Sequence, residues 1–375
     1  MAAPDQDGAA LTTGTLRQVV RISVGGAKVR LRFSNLFGTR PLTLGAVHVA
    51  RQAQGSTILP GSEHTVTFDG NKGVVIAVGQ SVLSDGVTMD VAPREALTVS
   101  LYLPNGSGAS TLHGLAQQTV YISKGGDASA ALSFPTAETD DSRYFLTDVE
   151  VVAHAQARAI VALGDSTTDG VGSSLNGDAR WTDALLERMR ADPALASIAV
   201  LNAGIAGNRI LNGASAPFTG PSALDRFERD VLSKPGVRWV ILLEGINDIT
   251  AAGMLTMPKD QVSAQDIIEG MQTLIDRAHA RGLKIFGGTL LPRADTEGPR
   301  RELPEGLAKR QAVNAWIRGA GAFDAVIDFE KAVEDPARPG YKYPQFNNGD
   351  KSHPNDAGYK AMAGAVDLGM FAPAR

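Results

Sequence analysis

The sequence predicts two parts: an antiparallel β-sandwich of jelly-roll type over residues 1–150, then an α/β domain with a doubly wound parallel sheet over 151–375. Three observations predict this. A chain of 375 residues is long for one hydrophobic core. Residues 16 to about 150 carry period-two patterning punctuated by Gly, Pro, Asn and Asp. From about Ala159 the rhythm changes to continuous apolar runs alternating with helical stretches.

In the first part, Val19-Val20-Arg21-Ile22-Ser23-Val24, Val29-Arg30-Leu31-Arg32-Phe33-Ser34 and Leu97-Thr98-Val99-Ser100-Leu101-Tyr102 alternate apolar and polar residues. Each therefore reads as a strand with one face buried and one wet. Pro104-Asn105-Gly106 and Asp69-Gly70-Asn71-Lys72-Gly73 supply turns between such runs. Many short strands and no convincing helix give the sandwich. In the second part Ala159-Ile160-Val161-Ala162-Leu163 is a strand buried on both faces. Then come a helix over Trp181–Arg190, a strand over Ile198–Asn202, a helix near Ser222–Leu232 and a strand over Trp239–Leu243. A helix over Ala264–Ala280, a strand over Lys284–Thr289, a helix around Leu307–Arg318, a strand near Ala325–Phe329 and a last helix over Asn355–Val366 complete the reading.

Composition narrows the function classes. Hydrophobic residues are 43% and charged residues 20%, with a net charge of −4, so the chain is globular and nucleic acid is not an expected partner. With no cysteine there is no disulfide, no thiolate nucleophile and no cysteine-ligated zinc. No apolar run approaches the roughly 18 residues that span a bilayer. Met1-Ala2-Ala3-Pro4-Asp5-Gln6 has no basic n-region and no apolar h-region. It reads as a mature N-terminus left by signal-peptide removal, which predicts a secreted or periplasmic protein and leaves a cytoplasmic one open.

In a doubly wound sheet, function gathers at the carboxyl ends of the strands. The first such end carries Gly164-Asp165-Ser166-Thr167-Thr168-Asp169-Gly170, a turn that would project Ser166 and would equally cap a helix. The second carries Ala203-Gly204-Ile205-Ala206-Gly207-Asn208, where glycine lets a backbone N–H approach a ligand oxygen. The third carries Glu244-Gly245-Ile246-Asn247-Asp248, whose Asn amide can donate to an oxyanion. The last loop carries Asp350-Lys351-Ser352-His353-Pro354-Asn355. There Asp350 is near enough to set the tautomer of His353, and Asn355 can cap the following helix. Of the other histidines, His48, His64, His154 and His279 read as surface or packing residues, and His113 as a packing residue or a cleft-lining one. A serine hydroxyl needs a base to take its proton, and the base needs an orienting group. Ser166, His353, Asp350 and the oxyanion donors make up that set.

These blocks resemble the SGNH, or GDSL-type, hydrolases. Gly164-Asp165-Ser166-Thr167 is similar to the first block, with Thr167 where leucine is usual. Gly207 matches the second, with Gly204 as a rival. Gly245-Ile246-Asn247-Asp248 matches the third and Asp350-Lys351-Ser352-His353-Pro354-Asn355 the last. The resemblance covers about Ala159 to the C-terminus. It implies a flavodoxin-like sheet and ester hydrolysis through an acyl-enzyme, with Ser166 as nucleophile, His353 as base then acid, and Asp350 as its orienter. The oxyanion hole would be the N–H groups of Ser166 and Gly207 with the Asn247 side chain. No metal and no organic cofactor is implied. Two-domain bacterial members with a β-sandwich before the hydrolase are similar to the whole chain, and they point to a small-molecule or carbohydrate ester, with a short acyl group such as acetyl. A lipase or lysophospholipase would need an apolar lid, for which Ala251–Pro258, with Met254, Leu255 and Met257, is the one candidate. Arylesterase and thioesterase activity, and a non-catalytic carbohydrate-binding protein on the same scaffold, are the other readings. Oligomeric state is not legible.

Overall fold

The computed structural model describes residues 3–4, 11–213, 219–254, 261–293 and 303–372, with 3–4 and 251–254 described by backbone alone. The candidate lid segment from Ala251 onward thus has no described side chains, and Leu255 and Met257 lie outside the described residues. The chain divides into two compact units, Met1–Ala157 and Arg158–Arg375.

The first unit is built from antiparallel strands, chiefly β1 (Gly14–Arg21), β2 (Gly26–Ser34), β3 (Ala46–Gln54), β4 (Val87–Val91), β5 (Ala96–Leu103), β6 (Val120–Lys124), β7 (Glu138–Asp140) and β8 (Leu146–Val151). One sheet runs β7-β6-β1-β5-β3 and a second β4-β2-β8. Among the described residues this unit has no helix. Leu16, Val47, Val99 and Leu101 from the larger sheet and Val29, Leu31, Phe33 and Met89 from the smaller fall in one buried cluster. The alternation expected of β2 is there, with Val29, Leu31 and Phe33 buried and Arg30 exposed, and β4 alternates likewise: Val87, Met89 and Val91 are buried while Thr88 and Asp90 are exposed. In β1 Arg21 is exposed as expected, but the start of the same face is covered. Thr15 and Arg17 are fully buried, because Arg17 donates to Ser100 Oγ (2.7 Å) and to the carbonyls of Ser56 (2.7 Å), Ser129 (3.1 Å) and Ala131 (2.8 Å) and stacks 4.7 Å over Phe134. A buried guanidinium is tolerable only when paired in this way.

The second unit alternates strand and helix: β9 (Arg158–Gly164), α1 (Ser166–Asp169), α2 (Trp181–Arg190), β10 (Ile198–Gly204), α3 (Ala223–Phe227), β11 (Val237–Leu243), α4 (Ile246–Met254), α5 (Ala264–Ala280), β12 (Lys284–Gly288), α6 (Pro304–Gly319), β13 (Ala325–Ile327), α7 (Phe329–Val333) and α8 (Asp356–Gly364). The strands pair in parallel in the order β10-β9-β11-β12-β13. β9 lies inside the sheet with a parallel neighbour on each side, and its residues Ala159 to Leu163 are buried. The order reverses at β9, so the crevice at its carboxyl end is the switch point where such sheets place ligands.

Two elements differ from expectation. Phe329 opens α7 instead of ending a strand, because the Asp328 side chain accepts from Lys331 N–H and caps a helix there. The helix expected over Ser222–Leu232 loosens into a π turn over Glu228–Leu232. No described helix is long and apolar enough to cross a membrane.

Candidate active site

β9 delivers the chain to Asp165, whose side chain accepts from Thr167 N–H (2.9 Å) and caps α1. Ser166 is the first residue of that single helical turn, so its own N–H has no intrahelical acceptor and is available to a ligand. The His353 loop is fixed by its own side chains. Asp350 Oδ1 accepts from the N–H groups of Ser352 and His353, each at 2.8 Å. The Asn355 side chain accepts from Gly358 N–H and caps α8. The two loops meet: His353 Nε2 lies 2.8 Å from Ser166 Oγ, and His353 Nδ1 lies 2.5 Å from Asp350 Oδ2. Ser174 N–H and Oγ donate to the Asp356 carboxylate (2.8 and 2.6 Å), and Tyr359 Oη donates to Val171 O (2.6 Å). The segment after Ser166 is thereby tied to the helix after His353.

Burial alone would raise the Asp350 pKa. The hydrogen bonds from the His353 side chain and backbone, the attraction of a charged His353 and the Ser352 N–H outweigh it and hold the carboxyl well below its usual range. A depressed pKa contributes stability above the unfolded value, lost only as pH falls through the folded one. Asp350 is therefore ionised throughout the range in which an imidazole ordinarily titrates. We expect kcat/KM to fall at acid pH as protonation removes the acceptor facing Ser166 Oγ. A pH–rate profile flat from about pH 5 to 8 would overturn a histidine base.

The second and third blocks converge on the same strand ends. Gly204 and Gly207 separate by geometry. A Cβ on Gly204 would sit 2.1 Å from Asp169 N, and its N–H donates to Asn202 Oδ1 (2.9 Å), so this glycine serves close packing of β10 on α1. Gly207 has φ +77°, and its N–H has no acceptor among the described residues. Asn247 Nδ2 donates one proton to Asn208 O (2.9 Å), leaving the second for a ligand. Asp248 accepts from the N–H groups of Ile210 (2.8 Å) and Leu211 (3.1 Å), locking α4 to the Gly207 loop.

Beneath the site sits a charged cluster that the sequence reading missed. Arg226 is buried among Asn208, Asp230 and Glu244. Its signal lies in α3, where Ala223, Arg226, Phe227 and Asp230 recur at helical spacing on the inward side, an arginine and an aspartate in apolar positions. Burial, aided by the charges of Asp248 and Asp169 and opposed by Thr167, pushes Asp165 up to about 7. Burial likewise raises Asp248 to about 6 against the N–H bonds of Ile210 and Leu211. Glu244 is raised well above its ordinary value by burial and by Asp165, against the pull of Arg226. Its Oε2 lies 3.5 Å from Arg226, yet neither oxygen accepts a hydrogen bond among the described residues, as suits a neutral acid.

Between the ordinary carboxylate pKa and the raised folded value, the folded state binds the extra proton, so stability falls as pH rises through that window. We expect Glu244→Gln to gain melting temperature relative to wild type as pH goes from 5 to 8. The opposite trend, read by thermal denaturation at both pH values, would mean an ionised Glu244 paired with Arg226.

Behind His353, the buried Lys342 ammonium donates to Ser352 O, and Arg293 Nη1 donates to Ser352 Oγ (3.3 Å). Burial lowers the Lys342 pKa to about 7 against the pull of Asp350, with Arg293 adding to the fall. His48 bonds Ser129 Oγ (2.9 Å), His279 pairs with Asp324 (2.9 Å), and His154 accepts from Gln156 N–H (3.2 Å). His64 and His113 lie in strands of the first unit. Among the described residues no group of three or more His, Asp or Glu side chains is placed to hold a metal ion.

The chain was compared with protein families, curated proteins and solved structures. The GDSL-like lipase/acylhydrolase family model matches residues 162–361, more than half of the 375. No curated protein matches. Similar solved structures include a GDSL-like lipase from Bacteroides thetaiotaomicron (19% identity, 57% of this chain and 88% of that one, TM-score 0.41). An acetyl xylan esterase from Geobacillus stearothermophilus (21%, 56% and 92%, 0.44) and an aryl esterase from M. smegmatis (17%, 56% and 96%, 0.43) are two more. On the family match, the chain belongs to the GDSL-like lipase/acylhydrolase family and is an ester hydrolase.

Proposed function

We propose that this enzyme hydrolyses short acyl esters through an acyl-enzyme on Ser166, with an acetylated carbohydrate as the favoured substrate. We read its parallel sheet as flavodoxin-like and its N-terminal sandwich as jelly-roll in type. The observation that carries the reading is the continuous line from Asp350 through His353 to Ser166, 2.5 Å and then 2.8 Å. In this reading Asp350 holds the Nδ1 proton of His353 and leaves Nε2 as the acceptor. Nε2 takes the hydroxyl proton as Ser166 Oγ bonds to the acyl carbon. The carbonyl electron pair moves onto oxygen, held by the N–H groups of Ser166 and Gly207 and by Asn247 Nδ2. Collapse returns the pair, breaks the bond to the alcohol, and His353 gives its proton to the leaving oxygen. Water repeats the sequence against the acyl-enzyme and frees the acid.

The short acyl group is supported by the groups bonded to one another here. Asn208, Asn247, Ser352, Asp350 and His353 are all polar, and a long chain needs apolar surface. Initial rates on p-nitrophenyl acetate, butyrate and octanoate, with acetate release from acetylated xylan, test this. We expect kcat/KM to drop by about tenfold or more from acetate to octanoate, since even one ill-fitting methylene costs about 1–3 kcal/mol. A rate that climbs with chain length would favour a lipase.

A further inference from the structure

We infer that Arg226 is the positioning residue that holds the three oxyanion donors in register, an inference resting on the roles proposed for Ser166, Gly207 and Asn247. Its guanidinium reaches a different catalytic segment with each nitrogen. Nη2 donates to Gly164 O (3.0 Å), two residues before Ser166. Nη1 donates to Ala203 O (2.8 Å), at the end of β10 where the Gly207 loop begins. Nε donates to Asn208 Oδ1 (2.8 Å), the residue after Gly207. Asn208 in turn offers its main-chain carbonyl to Asn247 Nδ2 (2.9 Å). Every proposed donor is thus within two residues, or one further hydrogen bond, of a group that Arg226 holds.

Satisfying carbonyls does not by itself account for this. Gly164 O already accepts from Ile205 N–H at 3.0 Å. What a guanidinium adds is a planar, rigid fork whose donors have fixed spacing, so the ends of β9 and β10 and the Asn208 side chain are held at set separations. Oxyanion stabilisation depends on such spacing, since donors act only when aimed at the developing charge. The buried cation has a counter-charge at the nitrogen that also holds Ala203 O. Asp230 Oδ2 lies 3.3 Å from Nη1. Burial opposes ionisation of Asp230, but Arg229 and Arg226 hold its pKa near 2. Asn208 is held from its other end as well, donating to the carbonyls of Thr219 (2.6 Å) and Pro221 (2.7 Å). Its carbonyl, the anchor for Asn247, is thereby oriented by a side chain locked on both sides.

A plain core staple would show the same contacts, so the test must separate positioning from stability. Arg226→Lys keeps the charge and loses the fork. We expect kcat for p-nitrophenyl acetate to fall about 10- to 100-fold with KM within about threefold, because the loss falls on the transition state. Measured beside Asn247→Ala and the double variant, the two losses should be non-additive. The double variant's kcat should stand about tenfold above the product of the single losses, because both act through the same donors. Multiplicative losses, or a wild-type kcat in Arg226→Lys while Asn247→Ala is impaired, would overturn the positioning role alone. A wild-type kcat in Asn247→Ala would overturn the oxyanion reading and this inference with it. If circular dichroism shows that Arg226→Lys does not fold, Asn208→Ala is measured in its place. That variant removes the acceptor of Nε and keeps the guanidinium's bonds to the two strand-end carbonyls, and the same coupling to Asn247→Ala is expected.

Discussion

Ser166→Ala should lower kcat on p-nitrophenyl acetate by about 10⁴-fold or more while leaving the fold intact. The hydroxyl bonds only His353 among the described residues, so its loss strands no other group. Some rate should survive, since the N–H of residue 166, Gly207 and Asn247 remain to polarise the ester. Residues that act as a unit lose their effect together, so His353→Ala should cost about as much, and the double variant little more. Steady-state rates of the three proteins, with melting temperatures to confirm folding, decide the matter. A Ser166→Ala protein that turns over like wild type would sink the nucleophile assignment.

Asp350→Asn should lower kcat by about 10²- to 10⁴-fold with little change in KM. The argument is one of proton direction. Oδ1 accepts from the N–H groups of Ser352 and His353, and an asparagine oxygen in that place keeps both bonds and the loop. The amide nitrogen then occupies the Oδ2 position and presents a donor to His353 Nδ1. The ring must answer with a lone pair, which sends its own proton to Nε2, facing Ser166. A base with its proton already on the working nitrogen accepts nothing. Equal kcat in Asp350→Asn and wild type would show that Asp350 does not set the tautomer.

Much of the hydrolase unit was legible in the sequence because its strands are apolar runs and three of the four candidate blocks follow one, the fourth lying in the last loop. The run Ala159–Leu163 announces a strand buried on both sides, and Ser166 sits where such strands end. The start of the helix expected over Ala264–Ala280 coincides with Ser263 and Asp266, which cap one another's backbone N–H groups. What escaped was decided by partners distant in sequence. Arg17 looks like the wet half of an alternating strand until Ser129 and Ala131, more than 100 residues on, fold over it. Arg226 reads as one more helix charge until Gly164 and Ala203 are brought beneath it. That the Gly204 N–H is claimed by the Asn202 side chain was equally out of reach of the sequence.

The tie between the two ends of the hydrolase unit bears on when the enzyme becomes active during its synthesis. His353 follows Ser166 by 187 residues, and the loop after Ser166 is anchored by Asp356 and Tyr359 on the helix beyond it. A nascent chain emerging from the ribosome can pair β9 with β10 and β11 and still have no proton acceptor at the serine. Hydrolysis should therefore switch on only when this late helix has emerged and docked, which keeps the unfinished chain from cleaving esters during its own translation.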